Sequence, residues 1–160
     1  MYFWKVDDLL NDLKSDKVTQ KEEFKYLLLF FVFAVLSTDP VLYANTSYNI
    51  YNSISSIIFI LITILGLYYC YKINASGDDK DFIKRILCIS LPVMVRLFVI
   101  FTPISLLVGL SIYYVIQGNT MSGPIPEVHE QNIYEVVYMG LLESVYFIYL
   151  ANKISTISRT

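Results

Sequence analysis

The sequence predicts an all-helical, polytopic integral membrane protein with four transmembrane helices and an N-terminal amphipathic helix. Three observations carry this expectation. Hydrophobic side chains make up 56% of the 160 residues, too apolar a composition for an ordinary soluble domain of this size. Long uncharged runs recur, and two of them, Ile54 to Tyr71 and Leu97 to Ile116, approach the ~20 residues that cross a hydrocarbon layer ~30 Å thick. All 12 Lys and Arg residues fall in three stretches, Lys5 to Lys25, Lys72 to Arg96 and Lys153 to Arg159, separated by two stretches with none. Short cytoplasmic loops retain Lys and Arg while translocated loops shed them. Ser37 to Ser53 and Gln117 to Asn132 are therefore expected to face outward and both termini inward, across a cell inner (plasma) membrane.

Residues 1–19 form the first unit. Phe3, Val6, Leu9, Leu10 and Leu13 recur at helical spacing, with Asp7, Asp8, Asp12, Lys14 and Asp16 on the other side. Trp4, beside Tyr2 and Phe3, suits a headgroup layer, but the acidic polar face favours a helix laid on protein. Its first 23 residues are polar and acidic, unlike a cleavable signal.

Residues 20–160 form the transmembrane domain. Thr19 and Glu22 make a capping box that opens the first span, at about 24–43, whose uncharged core Tyr26 to Leu36 is short and ends near the Asp39-Pro40 break. The second span, about 52–71, ends in Tyr68, Tyr69 and Tyr71 and meets Lys72. A cytoplasmic linker covers residues 72–96, where Asn74 to Asp79 is a turn and Asp78, Asp79 and Asp81 suit the positive end of the next helix. From Asp81 to Gln117 a single helix would reach ~54 Å at ~1.5 Å per residue, so a division at Pro92 or Pro103 is expected. That gives an interfacial helix from Asp81 to about Leu91 and a third span at about 97–116. Gly123, Pro124 and Pro126 mark the second outer loop, and the fourth span runs at about 132–151. Tyrosines gather at the boundaries, with Tyr43, Tyr48, Tyr51 and Tyr134 outside and Tyr26, Tyr68, Tyr69, Tyr71 and Tyr149 inside.

Glu143 stands midway along the fourth span, where insertion of an ionised side chain costs roughly 2.5 to 3.5 kcal/mol. It shares a helical face with Gly140, Ser144 and Phe147 and so points to a neighbouring helix. Arg96, at the inner end of the third span, is its expected partner by snorkelling. Glu135 lies nearer the outer surface, turned about 80° from Glu143, as a wetted carboxylate. This polar set reads either as a device that fixes helix register or as an ion or proton site. Small residues four apart, Gly66 with Cys70, Ser105 with Gly109 and Gly140 with Ser144, predict close helix approach and support a homo-oligomer.

Gly77 to Arg85 mixes both charge signs with an apolar step. Asp79, Phe82, Lys84 and Arg85, together with Leu9, Leu10 and Leu13, are the expected docking surface for a soluble cytoplasmic protein. A net charge of -2 offers no footprint for nucleic acid. Cys70 and Cys88 fall toward the reducing side, against a disulfide. Asn45-Thr46-Ser47 is a sequon of weak specificity. His129 is a lone histidine without a ligand set, so no metal is expected. A phosphate-binding glycine loop, a nucleophile elbow and a Ser, His and Asp set are all missing, so neither catalysis nor a cofactor is expected.

The expected function is a noncatalytic membrane subunit that oligomerises in the lipid bilayer and anchors or signals to a soluble partner, as in bacterial membrane-linked defence or signalling assemblies. The alternative is an ion- or proton-conducting pore or small transporter in which Glu143 lines a path with Glu135 above and Arg96 below.

Overall fold

A computed structural model describes residues 4–37, 46–116 and 129–159. Five helices run in chain order: α1 Val6–Lys14, α2 Gln20–Ser37, α3 Ile50–Ala75, α4 Phe82–Ile116 and α5 Ile133–Ser158. Two short strands, β1 Thr46–Ser47 and β2 His129–Glu130, pair in parallel. That pairing sets the starts of α3 and α5 side by side, and Asn49 Nδ2 ties them further by donating to the Gln131 carbonyl at 2.7 Å. At the opposite end Lys84 of α4 meets Glu23 of α2 at 3.0 Å. Thus α2 and α4 start at one end, the polar end, and α3 and α5 start at the strand end.

Among the described residues three helical segments are long and apolar enough to cross a membrane: Ile50–Ala75, Phe82–Ser111 and Ile133–Ser158. The chain is a helical membrane protein. The expected span at about 52–71 falls inside α3, and that at about 132–151 starts at the N-cap of α5 and otherwise falls inside it. The expected first span does not join the set among the described residues, because Lys21, Glu22, Glu23 and Lys25 occupy the opening turns of α2. The Asp39-Pro40 break, Tyr43, the Asn45 sequon and the turn at Gly123, Pro124 and Pro126 lie outside the described residues.

The expected division at Pro92 or Pro103 is corrected. One helix runs from Phe82 to Ile116 through both prolines, ~52 Å at ~1.5 Å per residue. Each proline removes an amide donor, the one that would bond the Cys88 or the Val99 carbonyl, yet the helix continues past both. Apolar helices tolerate proline in this way where neighbouring groups and local adjustment take up the freed backbone. The capping box is also altered. Glu22 accepts from the Thr19 amide at 3.1 Å, and the Thr19 hydroxyl turns to the same carboxylate at 3.2 Å. At α5 the Asn132 side chain accepts from the Glu135 amide at 3.1 Å, satisfying one of the free donors of a helix start.

Burial is concentrated at the polar end. Val6, Leu9, Leu10 and Leu13 of α1 pack with Cys88, Ile89, Leu91 and Val93 of α4 and Leu150, Ile154 and Ile157 of α5 in one hydrophobic cluster. Tyr26 belongs to that cluster, only 1% exposed, and is a core residue rather than a boundary tyrosine. Toward the strand end the helices expose apolar side chains instead, among them Ile57, Ile60 and Ile64 of α3 and Phe98, Leu106 and Leu110 of α4. A soluble protein seldom leaves contiguous apolar surface of this extent in water.

Candidate functional site

The contact of α3 with α5 is set by a ring on a glycine. Phe147 lies directly over Gly66, where any Cβ would overlap the ring. Counting one turn back along each of these parallel helices places Thr63 opposite Glu143, and Thr63 Oγ1 donates to Glu143 Oε1 at 2.6 Å. The other carboxyl oxygen, Oε2, is buried without a hydrogen-bond partner. Buried polar atoms in folded proteins are nearly always partnered, so this one calls for a physical account.

Glu143 also lines a groove of about 560 Å³ between α4 and α5. Met94, Phe98 and Phe101 form the α4 wall, Met139, Leu142 and Tyr146 the α5 wall, and Phe59 reaches in from α3. Glu143 is the one charged residue among those lining it. Ser105 and Tyr138 share a hydrogen bond of 2.8 Å that clips α4 to α5 beside the groove. Ligand pockets typically combine such a volume with apolar walls and few polar groups.

The expected polar set is not assembled. Arg96 does not pair with Glu143: Nη1 donates to Tyr149 Oη at 2.8 Å, Nη2 to the Trp4 carbonyl, and the guanidinium stacks over the Trp4 ring at 5.8 Å. Arg96 stands level with Tyr149, six residues or about 9 Å along α5 from Glu143, and is turned about 100° from Leu97, which lines the groove. Glu135 is held in the first turn of α5, accepting from Asn132 Nδ2 at 2.9 Å. Of the small-residue pairs, Gly66 takes Phe147 and Cys70 is buried. A Cβ on Gly140 would make only ordinary contacts with Ile58 and Ile62, and Ser144 Oγ returns to the Gly140 carbonyl at 2.8 Å. Gly109 has open space beside it.

The expected docking surface is largely folded inward, which corrects that reading. Leu9, Leu10 and Leu13 are core residues. Arg85, 5% exposed, forks onto both Asp78 oxygens, with Nη2 to Oδ2 at 2.6 Å, while Nη1 also donates to Asn74 Oδ1 at 2.9 Å. Lys84 bridges Asp16 at 2.8 Å and Glu23 at 3.0 Å. Phe82 packs edge-on against Tyr71. Asp79 remains exposed, in the left-handed backbone region that aspartate tolerates. The three basic stretches thus meet at one end, where Lys153 also pairs with Asp7 at 2.7 Å.

These pairings set an acid limit. Hydrogen bonds from Lys153 to Asp7, from Lys84 to Asp16 and from Arg85 to Asp78 hold the three carboxyls below their ordinary value of 3.8. A lowered folded value gives stability that is present above the ordinary one and lost as pH falls through the folded one. The thermal midpoint of the detergent-solubilised chain is expected to stay level from about pH 7 to 5 and to fall below about pH 3.8. Asp78→Asn should flatten that fall more than Asp16→Asn, because Asp16 is the more exposed partner.

Cys70 and Cys88 are free and buried. Among the described residues no group of His, Cys, Asp and Glu could hold a metal ion. Thr63 gave no sequence signal beyond lying in an apolar run. Fold and groove together define a helical membrane protein with one carboxylate set in its apolar half. Comparison with protein families, with curated proteins and with solved structures gives no match for this chain.

Proposed function

We propose that the chain is a noncatalytic subunit of a bacterial inner membrane that self-associates and anchors or signals to a soluble cytoplasmic partner. In this reading α2 to α5 cross the bilayer four times, α1 is an amphipathic helix on the inner face, and both termini are cytoplasmic. The observation that carries it is α4, one helix that lines the groove and extends to the cluster with α1 and α5. A change at the groove therefore has a stiff route to the polar end. The surface left for a partner there is Ile83, 75% exposed, beside Asp79 and Lys80. Open space at Gly109, beyond the groove, supports a seam for a second copy. The pore reading loses support from the engagement of Glu135 and Arg96 elsewhere.

The test is purification of the tagged chain in mild detergent, with ion and proton flux measured after reconstitution. A multimer that retains a soluble companion is expected, with Ile83→Asp losing the companion and keeping the multimer. Gly109→Leu should weaken the multimer. Flux in liposomes that vanishes in Glu143→Gln would sink the proposal.

A further inference from the structure

We infer that the groove between α4 and α5 is a binding site for a lipophilic cation, a molecule with an aromatic or branched apolar body and one positive centre, which enters from the bilayer and partners Glu143. Three observations converge on that chemistry. Glu143 Oε1 is engaged by Thr63 while Oε2 is buried without a hydrogen-bond partner, so the carboxyl is half satisfied, and Glu143 is among the residues that line the groove. The cation nearest in kind, Arg96, is directed to Trp4 and Tyr149, so Glu143 has no basic partner in an ion pair among the described residues. The walls are aromatic and thioether-rich, with Phe59, Phe98, Phe101 and Tyr146 among them, and aromatic faces attract cations as well as apolar bodies. An acyl chain from lipid fits such walls but brings no charge to complement Glu143, and a hydrophobic anion brings the wrong one. The volume of about 560 Å³ suits a drug-sized molecule. This site goes beyond the anchoring role and does not depend on it.

The experiment uses two ions of nearly the same shape and opposite charge, tetraphenylphosphonium and tetraphenylborate. Each is dialysed to equilibrium against the full chain in nanodiscs, with empty nanodiscs subtracted. Saturable binding of the phosphonium alone is expected, weakened roughly tenfold or more in Glu143→Gln. Met139→Trp, which fills the groove and leaves the carboxylate in place, should lose it too. That variant decides the matter if Glu143→Gln does not fold. Equal phosphonium binding by wild type and both variants, or no saturable binding, overturns the inference. So does efficient cross-linking between copies carrying Met139→Cys, which would mean that a second chain covers the groove. Loss of the companion protein in the earlier test leaves this result untouched, so the two failures are distinguishable.

Discussion

Asp78→Ala is expected to destabilise the polar end by about 3 kcal/mol, near the lower bound for breaking a buried ion pair from one side. Arg85 is almost fully enclosed, with 6% of its side chain exposed, whereas Asp78 keeps 23%. Removing the carboxylate strands a desolvated guanidinium with only the Asn74 amide oxygen at 2.9 Å. Water reaches the Asp78 side of the pair, which is why the lower bound applies. The turn from Ala75 to Asp81 joins α3 to α4, so the loss should appear as faster tryptic cleavage at Lys80 and as a lower denaturant midpoint in detergent. Replacing both partners, Asp78→Leu with Arg85→Met, should recover much of it, because no charge is then left buried. A change within about 0.5 kcal/mol for Asp78→Ala, the range of an ordinary surface substitution, would show that the pair holds nothing.

Leu9→Ala should release α1. Leu9 is completely buried between α4 and α5, and truncating such a leucine costs about 2 to 5 kcal/mol. The helix has 9 residues, shorter than the ~12 to 15 at which an isolated helix is even marginal in water. Its persistence depends on this contact, so the expected outcome is local opening rather than global unfolding. Amide exchange across Val6–Lys14 should accelerate about a hundredfold, the equivalent of roughly 3 kcal/mol, with α3 and α5 unchanged. Asp8→Ala, on the exposed face, is the control that should leave exchange as it was. Uniform acceleration along the whole chain would show that α1 is an integral part of one cooperative unit.

The course of the chain was legible where one signal dominated. An uncharged run marked α3, and length with hydropathy marked α5 despite Glu135 and Glu143. The expected break in α4 failed because a proline rule built on soluble helices overstates the cost of one missing amide donor in an apolar helix, and α4 runs on through Pro92 and Pro103. Periodicity in α1 identified a face that must be covered but not by what; Leu9, Leu10 and Leu13 meet their own chain rather than a visitor. Glu143 stood out as a charge in an apolar run. Its partner Thr63 did not, since a hydroxyl 80 residues away leaves no local trace. Arg96 was expected to reach Glu143 and instead meets Tyr149, six residues further along α5, and Trp4; a linear reading does not resolve which side chains of two helices stand level.

The uneven distribution of buried side chains has a mechanical corollary. Beside exposed Leu106 and Ile148 the groove separates α4 from α5, which the Ser105–Tyr138 bond clips together, so the surrounding lipid sets how far α4 splays from the joined pair α3 and α5. Hydrophobic mismatch costs fractions of a kcal/mol per Å, little for a tightly wedged bundle but enough to tilt loosely joined rods. The clamped end then serves as a pivot, and a thinner or thicker bilayer would register as rotation about it.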